Sequence, residues 1–322
     1  MRCDLLLLLS ALALPLSASP NDTMMTLAAG GLVPLKSAQI AMESEELEIS
    51  IRRVTVTYRF RNETNSDIDA VVGFPLPPLN GGDLYNVPNH LPSKDPVNFV
   101  DFQVTVNGAA VKADVESRAF LDGRDITARA QAAGLSASVV MATKALTGLT
   151  PARRAALAKQ ELIECDSAGC FPVWESRIQY YWKQRFPAGA TVVVQHVYRP
   201  VVGGSFIAGS MDGKSNVEPF CGGREGLAEI AQFKKRHPVK SDDKQFLWEN
   251  HISYILTTAN NWSGPIRNFR LTVVTESSED LLFTCMAGLQ RIAPTRYQME
   301  QANFRPEKEL DLLILTGKSS IW

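Results

Sequence analysis

Hydrophobic and polar residues alternate strictly at Val54, Val56, Tyr58 and Phe60 against Thr55, Thr57, Arg59 and Arg61. A period of two puts one set on each side of an extended chain, so 54–61 reads as a strand buried on one face of an antiparallel sheet. Strands are also expected over 46–51 and 68–74, the second ended by Pro75, Pro77 and Pro78, which cannot donate to a ladder. Residues 79–96 are rich in Gly, Asn and Pro and read as a loop. Beyond it Val100, Phe102, Val104 and Val106 alternate up to Asn107-Gly108, a hairpin turn pair, and return through Val111, Ala113 and Val115.

From Gly123 to about Ile163 the alternation stops and alanine becomes frequent. Thr150-Pro151 supplies an N-cap and a first-turn proline for a helix over 152–163, and a shorter helix is expected over 125–133, stopped by Gly134. Strands resume over 175–186 and 191–198, then over 248–258, 266–275, 281–286, 296–301 and 310–316. Asn250 shares a face with Trp248, Ile252, Tyr254 and Leu256 and needs a hydrogen-bond partner if buried. No strand-helix-strand rhythm appears, which excludes doubly wound and (β/α)8 architectures. The expected fold is mainly β: an antiparallel β-sandwich, arranged as two linked sandwich-like subdomains with a small helical insertion. The divisions are 1–18, a leader; 19–122, an N-terminal β subdomain; 123–165, the helical insertion; and 166–322, a C-terminal β subdomain that could share one core with 19–122.

The leader changes the chemistry of the rest. Met1-Arg2 precedes an apolar run from Leu5 to Leu16, which is shorter than the roughly 20 residues needed to span a bilayer and ends in Ser17-Ala18-Ser19. This is a secretory signal peptide, with no transmembrane anchoring expected after cleavage. Removing residues 1–18 takes Cys3 away and leaves Cys165, Cys170, Cys221 and Cys285. Four cysteines in an oxidising compartment allow two disulfides in three connectivities, of which Cys165–Cys170 with Cys221–Cys285 is preferred. Zinc knuckles and thioredoxin-like pairs need Cys-x-x-Cys, which is absent.

The chain has 322 residues, 45% of them hydrophobic, and 33 basic against 34 acidic residues. It is therefore a folded protein with no net field to gather nucleic acid. Candidate chemistry is sparse. Gly209 to Gly213 around Ser210 lacks the strand-turn-helix setting of a nucleophile elbow, and Gly30-Gly31 lacks the remainder of a phosphate loop. His196 lies near a strand end and His251 on a polar face with Glu249; each fits structural hydrogen bonding better than catalysis or metal ligation. Asp242-Asp243 and the acidic stretch 276–280 lack the ordered spacing of a calcium loop, and Lys234-Lys235-Arg236-His237 reads as a solvated helix end. Asn21, Asn62 and Asn261 head glycosylation triplets. No cofactor and no metal site is expected.

Several separated blocks carry a resemblance. They are Leu27-Ala28-Ala29-Gly30-Gly31-Leu32, Val56-Thr57-Tyr58-Arg59-Phe60-Arg61-Asn62 leading to Gly73-Phe74-Pro75-Leu76-Pro77, and Tyr180-Tyr181-Trp182 before Phe186-Pro187-Ala188-Gly189, with the stretch from Tyr254 to Pro265 and Asn303-Phe304-Arg305-Pro306. Together they resemble a secreted bacterial family catalogued as domain of unknown function 4424, over nearly the whole mature chain. That likeness implies a periplasmic or secreted bacterial protein, brings no established catalytic residue, substrate or cofactor, and implies cysteines near Cys221 and Cys285. Where the family pattern leads one to expect an aspartate two positions after the first of these, this chain has Gly223. The block ending at Pro77 is also faintly similar to the opening of the vault/inter-alpha-trypsin domain, an extracellular sandwich.

The functional expectation is a noncatalytic periplasmic or secreted protein that binds an envelope protein or cell-envelope ligand through the 79–96 loop, the inserted helices or a surface containing Trp174, Trp182, Trp262, His196 and His251. Two alternatives stand beside it: a secreted small-ligand-binding protein, and a hydrolase of unknown substrate using His and carboxylate residues. An enclosed apolar pocket with a few convergent polar groups would favour the former.

Overall fold

The structure is a computed structural model that describes residues 22–28, 31–86, 89–203, 206–207, 217–237 and 247–317. The leader, Ser210 and Asp242-Asp243 lie outside the described residues. In the strand Val54–Asn62 the alternation is realised as read: Val54, Val56, Tyr58 and Phe60 are buried while Arg59 and Arg61 are exposed. This strand lies near the middle of an eight-stranded sheet whose order is Gln290–Ala293, Arg296–Phe304, Ile266–Val274, Ile40–Ile49, Val54–Asn62, Thr191–Tyr198, Gln103–Val106 and Ala109–Val111. Asn107 and Gly108 both have positive φ, +48° and +81°, as a two-residue hairpin turn requires.

Two further sheets complete the sandwich. In one, Arg124–Asp125, Asp114–Leu121, Glu175–Phe186, Ile68–Pro75, Thr23–Ala28 and Gly31–Leu35 follow in order, with Leu79–Asn80 also paired to Glu175–Phe186. In the other, the order is Leu281–Thr284, Leu310–Thr316, Leu247–Tyr254, Val202–Gly203 and Asn89–His90, with Phe206–Ile207 on Leu247–Tyr254. One buried cluster draws on all three sheets, through Val56 and Phe60, Phe74 and Trp182, and Tyr254 and Leu312. The architecture is thus mainly β and sandwich-like, with a small helical insertion and no closed barrel among the described residues.

Three details differ from the sequence expectation. Ile266–Val274 pairs in parallel with Ile40–Ile49, from Asn268 opposite Ser44 to Val273 opposite Ile49, so the sandwich is not wholly antiparallel. Next, Ile40–Ile49 starts six residues before the expected 46–51, because a bulge between Met42 and Ser44 breaks the period and places Glu45 inside. The insertion, finally, holds three helices, Thr127–Ala132, Val139–Leu146 and Pro151–Lys159. Thr150 Oγ1 accepts from Arg153 N at 3.3 Å, the cap the sequence announces. These helices have their own buried cluster around Trp174, Val139 and Leu157, and Trp174 Nε1 donates to Ala137 O at 3.0 Å.

A hairpin of Ile163–Cys165 and Cys170–Pro172 follows, closed by the Cys165–Cys170 disulfide; Cys221–Cys285 forms the second bridge, so the preferred connectivity is present. Asn250, fully buried, donates to Ile314 O at 3.1 Å and Thr316 Oγ1 at 3.3 Å, which meets the need foreseen for it.

Candidate functional site

The outer face of Leu247–Tyr254 carries Leu247, Glu249, His251 and Ser253 in succession. The amphipathic helix Gly223–Arg236 covers its first part: Ile230 and Phe233 pack with Leu247, Leu313 and Leu315. At its C-terminal end, the run 234–237 is tied to the acidic loop, with Arg236 Nε 3.6 Å and His237 Nε2 2.9 Å from the Glu279 carboxylate. The remaining part of the face, His251 and Ser253, forms one wall of a cleft of about 470 Å³.

The opposite wall follows from the proline run. After Pro75, residues 76–78 turn away and Leu79–Asn80 pairs with the beginning of Glu175–Phe186. Asn80 Oδ1 then accepts from the backbone N–H groups of Gly82 at 2.8 Å and Asp83 at 3.3 Å, starting the short helix Gly81–Asn86. A Cβ at Gly81 would stand 2.1 Å from the Pro172 carbonyl oxygen, so only glycine allows this helix to lie on the disulfide hairpin. The helix presents Asp83 and Leu84 to the cleft, and Leu76, Pro77, Pro78, Leu79 and Val100 supply apolar surface beside them. Tyr198, Pro200, Val201 and Gly203 close the third side.

The polar groups are few. The His251 side chain is 42% exposed, and its Nε2 lies 3.3 Å from Oε2 of Glu249, which is 3% exposed. Phe220 meets the imidazole edge-on at 5.1 Å. Ser253 Oγ donates to Asp311 Oδ1 at 2.6 Å. Burial pushes the Tyr198 hydroxyl above the ordinary tyrosine range, so it stays protonated.

Of the residues expected at a binding surface, only His251 is brought to this cleft and to solvent. Trp174 is enclosed by the helical insertion; Trp182 and Trp262 belong to the sandwich core. Each indole N–H finds an internal acceptor, namely Ala137 O, Gln184 Oε1 and Asp22 O respectively, which is why an amphipathic ring is tolerated inside. Asp83, Tyr198, Gly203 and Ser253 escaped the sequence reading; Pro75 to Pro78 and Pro200 were the available signals that the chain leaves its sheet there. Asn62 is buried and its Nδ2 donates to Ser66 O at 2.8 Å and Phe186 O at 2.9 Å, so the folded protein does not present it to a glycan.

His196 is fully buried, away from the cleft's polar wall, with the rings of Phe74 at 4.8 Å, Phe102 at 5.1 Å, Trp182 at 5.3 Å and Tyr58 at 5.5 Å. Its Nε2 lies 3.4 Å from Asp22 Oδ1. Burial lowers the imidazole pKa to about 3, and burial with the nearby Glu45 carboxyl raises that of Asp22, so both groups are held neutral. Tyr58 and Tyr254 share a hydrogen bond of 2.8 Å beside them, and Tyr254 donates to Glu45 Oε1 at 3.4 Å.

A pH dependence follows. The unfolded chain protonates His196 near pH 6.5 whereas the folded protein does not, so this contribution is present above pH 6.5 and is lost as pH falls toward 3. Asp22 acts oppositely, its contribution being present below its unfolded pKa and lost as pH rises through the raised folded value. Urea titrations at pH 6.5 and 5 should show wild type losing about 2 kcal/mol relative to His196→Leu. Relative gain on acidification would instead indicate an imidazolium paired with Asp22.

Among the described residues, no group of three or more His, Cys, Asp or Glu side chains is placed to hold a metal, and no helix is long and apolar enough to cross a membrane. Residues 20–313 match the family model described as Domain of unknown function (DUF4424). No curated protein matches the chain. Among solved structures, a Legionella pneumophila protein called a "putative nutrient binding protein" is similar at 18% identity and a TM-score of 0.47, over 88% of this chain and 70% of that one.

Proposed function

We propose that this chain, which belongs to the DUF4424 family, is an exported, noncatalytic binding protein that holds a small ligand in the cleft between the 76–84 segment and the outer face of Leu247–Tyr254. The observation that carries this reading is the cleft itself: its volume of about 470 Å³ and largely hydrocarbon lining, with polar groups confined to a few positions, are the attributes of a small-molecule site. A large protein partner would need a broad surface in place of this recess. Hydrolysis is less well supported, because Ser253 Oγ is committed to Asp311 and His251 faces Glu249, which leaves no nucleophile on the imidazole among the described residues. Periplasmic or secreted placement accords with the leader and the two disulfides.

Gly203 provides the test. It pairs with His251 across antiparallel strands, so a side chain there would project from the same face into the cleft, and among the described residues a Cβ would meet only His251 Cβ at an ordinary 3.9 Å. Titration with the neutral fluorescent probe N-phenyl-1-naphthylamine should show binding by wild type and at least roughly tenfold weaker binding by Gly203→Phe. Equal affinity in the two proteins, with unchanged thermal melts, would remove the cleft as the binding site.

A further inference from the structure

We infer that the ligand of this cleft is a small amphiphile with an ammonium head on an apolar body, an inference that rests on the cleft being the binding site. The reasoning is one of charge complementarity. Leu76, Leu79, Leu84, Val100 and Val201 offer hydrocarbon to the body, and no Lys or Arg is among the described lining residues. The described acidic and basic side chains that line the cleft are Asp83, exposed on the short helix, and His251, while the Tyr198 hydroxyl stays neutral. Two more carboxylates stand directly behind the wall: Glu249 against His251 at 3.3 Å, and Asp311 against Ser253 at 2.6 Å.

These contacts also fix which hydrogen-bonding capacity is left. Ser253 gives its proton to Asp311, so its oxygen faces the cleft as an acceptor, and Asp83 can only accept. Arg199, the neighbouring cation in sequence, is turned away, its guanidinium donating to Pro92 O. The two exposed carboxylates, Asp83 and Asp311, repel a sulfate, phosphate or carboxylate head and attract an ammonium. Hydrocarbon walls next to this acidic end suit a molecule that is apolar along its length and cationic at one tip.

Isothermal titration with three probes sharing one chain, octyltrimethylammonium, octanol and octyl sulfate, below micelle formation, separates the possibilities. Wild type should bind octyltrimethylammonium roughly tenfold more tightly than octyl sulfate, with octanol between them. Asp83→Asn should reduce that preference, and so should added salt. If octyl sulfate binds as tightly as the cation while Gly203→Phe still abolishes binding of all three, the head-group inference falls and the cleft stands. If Gly203→Phe leaves octyltrimethylammonium binding intact, or if no probe binds wild type, the cleft reading falls and takes this inference with it.

Discussion

Trp262→Ala should lower the free energy of unfolding by about 4 kcal/mol, the largest single-residue effect expected in this protein. The indole is 3% exposed, lies 4.5 Å from the Phe60 ring and 6.2 Å from that of Phe186, and fills the space where the large sheet meets the Thr23–Ala28 side. Truncation removes this packing and leaves a void that rigid strands cannot close. It also deletes the Nε1–H donor to Asp22 O. That bond is one of several holding the start of the described chain: Asn261 Nδ2 donates to Thr23 Oγ1 at 3.2 Å, Ser37 N to Asn261 O at 2.7 Å, and Ser263 N to Ile40 O at 2.8 Å. Urea denaturation is the measurement, with a fall in midpoint at unchanged slope. Trp262→Phe should recover most of the loss, since it restores ring contact but not the donor. A change below 1 kcal/mol for the alanine variant would place the ring outside the core.

Removal of the Cys221–Cys285 bridge should cost nearly as much. The bridge closes a loop with a sequence separation of 64, for which loop entropy predicts about 4 kcal/mol. It fastens Cys221, two residues before helix Gly223–Arg236, to the residue after Leu281–Thr284, so the helix and the sheet it covers are joined covalently. The double variant Cys221→Ala/Cys285→Ala should melt roughly 6 to 10 °C lower than wild type in a calorimetric scan. Cys165→Ala/Cys170→Ala, which opens a loop of separation 5, should lose only about 2 kcal/mol. Equal effects from the two pairs would show that native-state contacts, not closure of the unfolded chain, dominate.

What could be read in advance depended on whether the signal was local. Val54 to Arg61 alternate without interruption, and the strand follows. Ile40 to Glu45 also lie in a strand, but the bulge after Met42 and the buried Glu45 erase the period that would have announced it. Nothing in the sequence of 266–274 states that its neighbour is 40–49, because strand pairing is chosen by tertiary fit. The disulfides were legible because four cysteines permit few pairings. The cleft was legible only in part. His251 and the loop after Pro78 were marked, yet Asp83, Tyr198 with Gly203, and Ser253 meet from three distant segments, each ordinary alone. The tryptophans were misleading in placement because residue type does not tell whether an indole N–H will find water or a carbonyl such as Ala137 O.

The parallel contact between Ile40–Ile49 and Ile266–Val274 has a consequence in time. A strand near the beginning of the chain has its second neighbour on the ribosome's product only after about 220 more residues have been made, and such late pairings slow folding. Until then, Ile40–Ile49 can pair with Val54–Asn62 on one side while its other edge stays open to any strand nearby. The large sheet is therefore completed after synthesis of most of the chain. For the exported placement proposed above, that delay would keep the precursor threadable, since the large sheet closes only when the last third of the chain arrives.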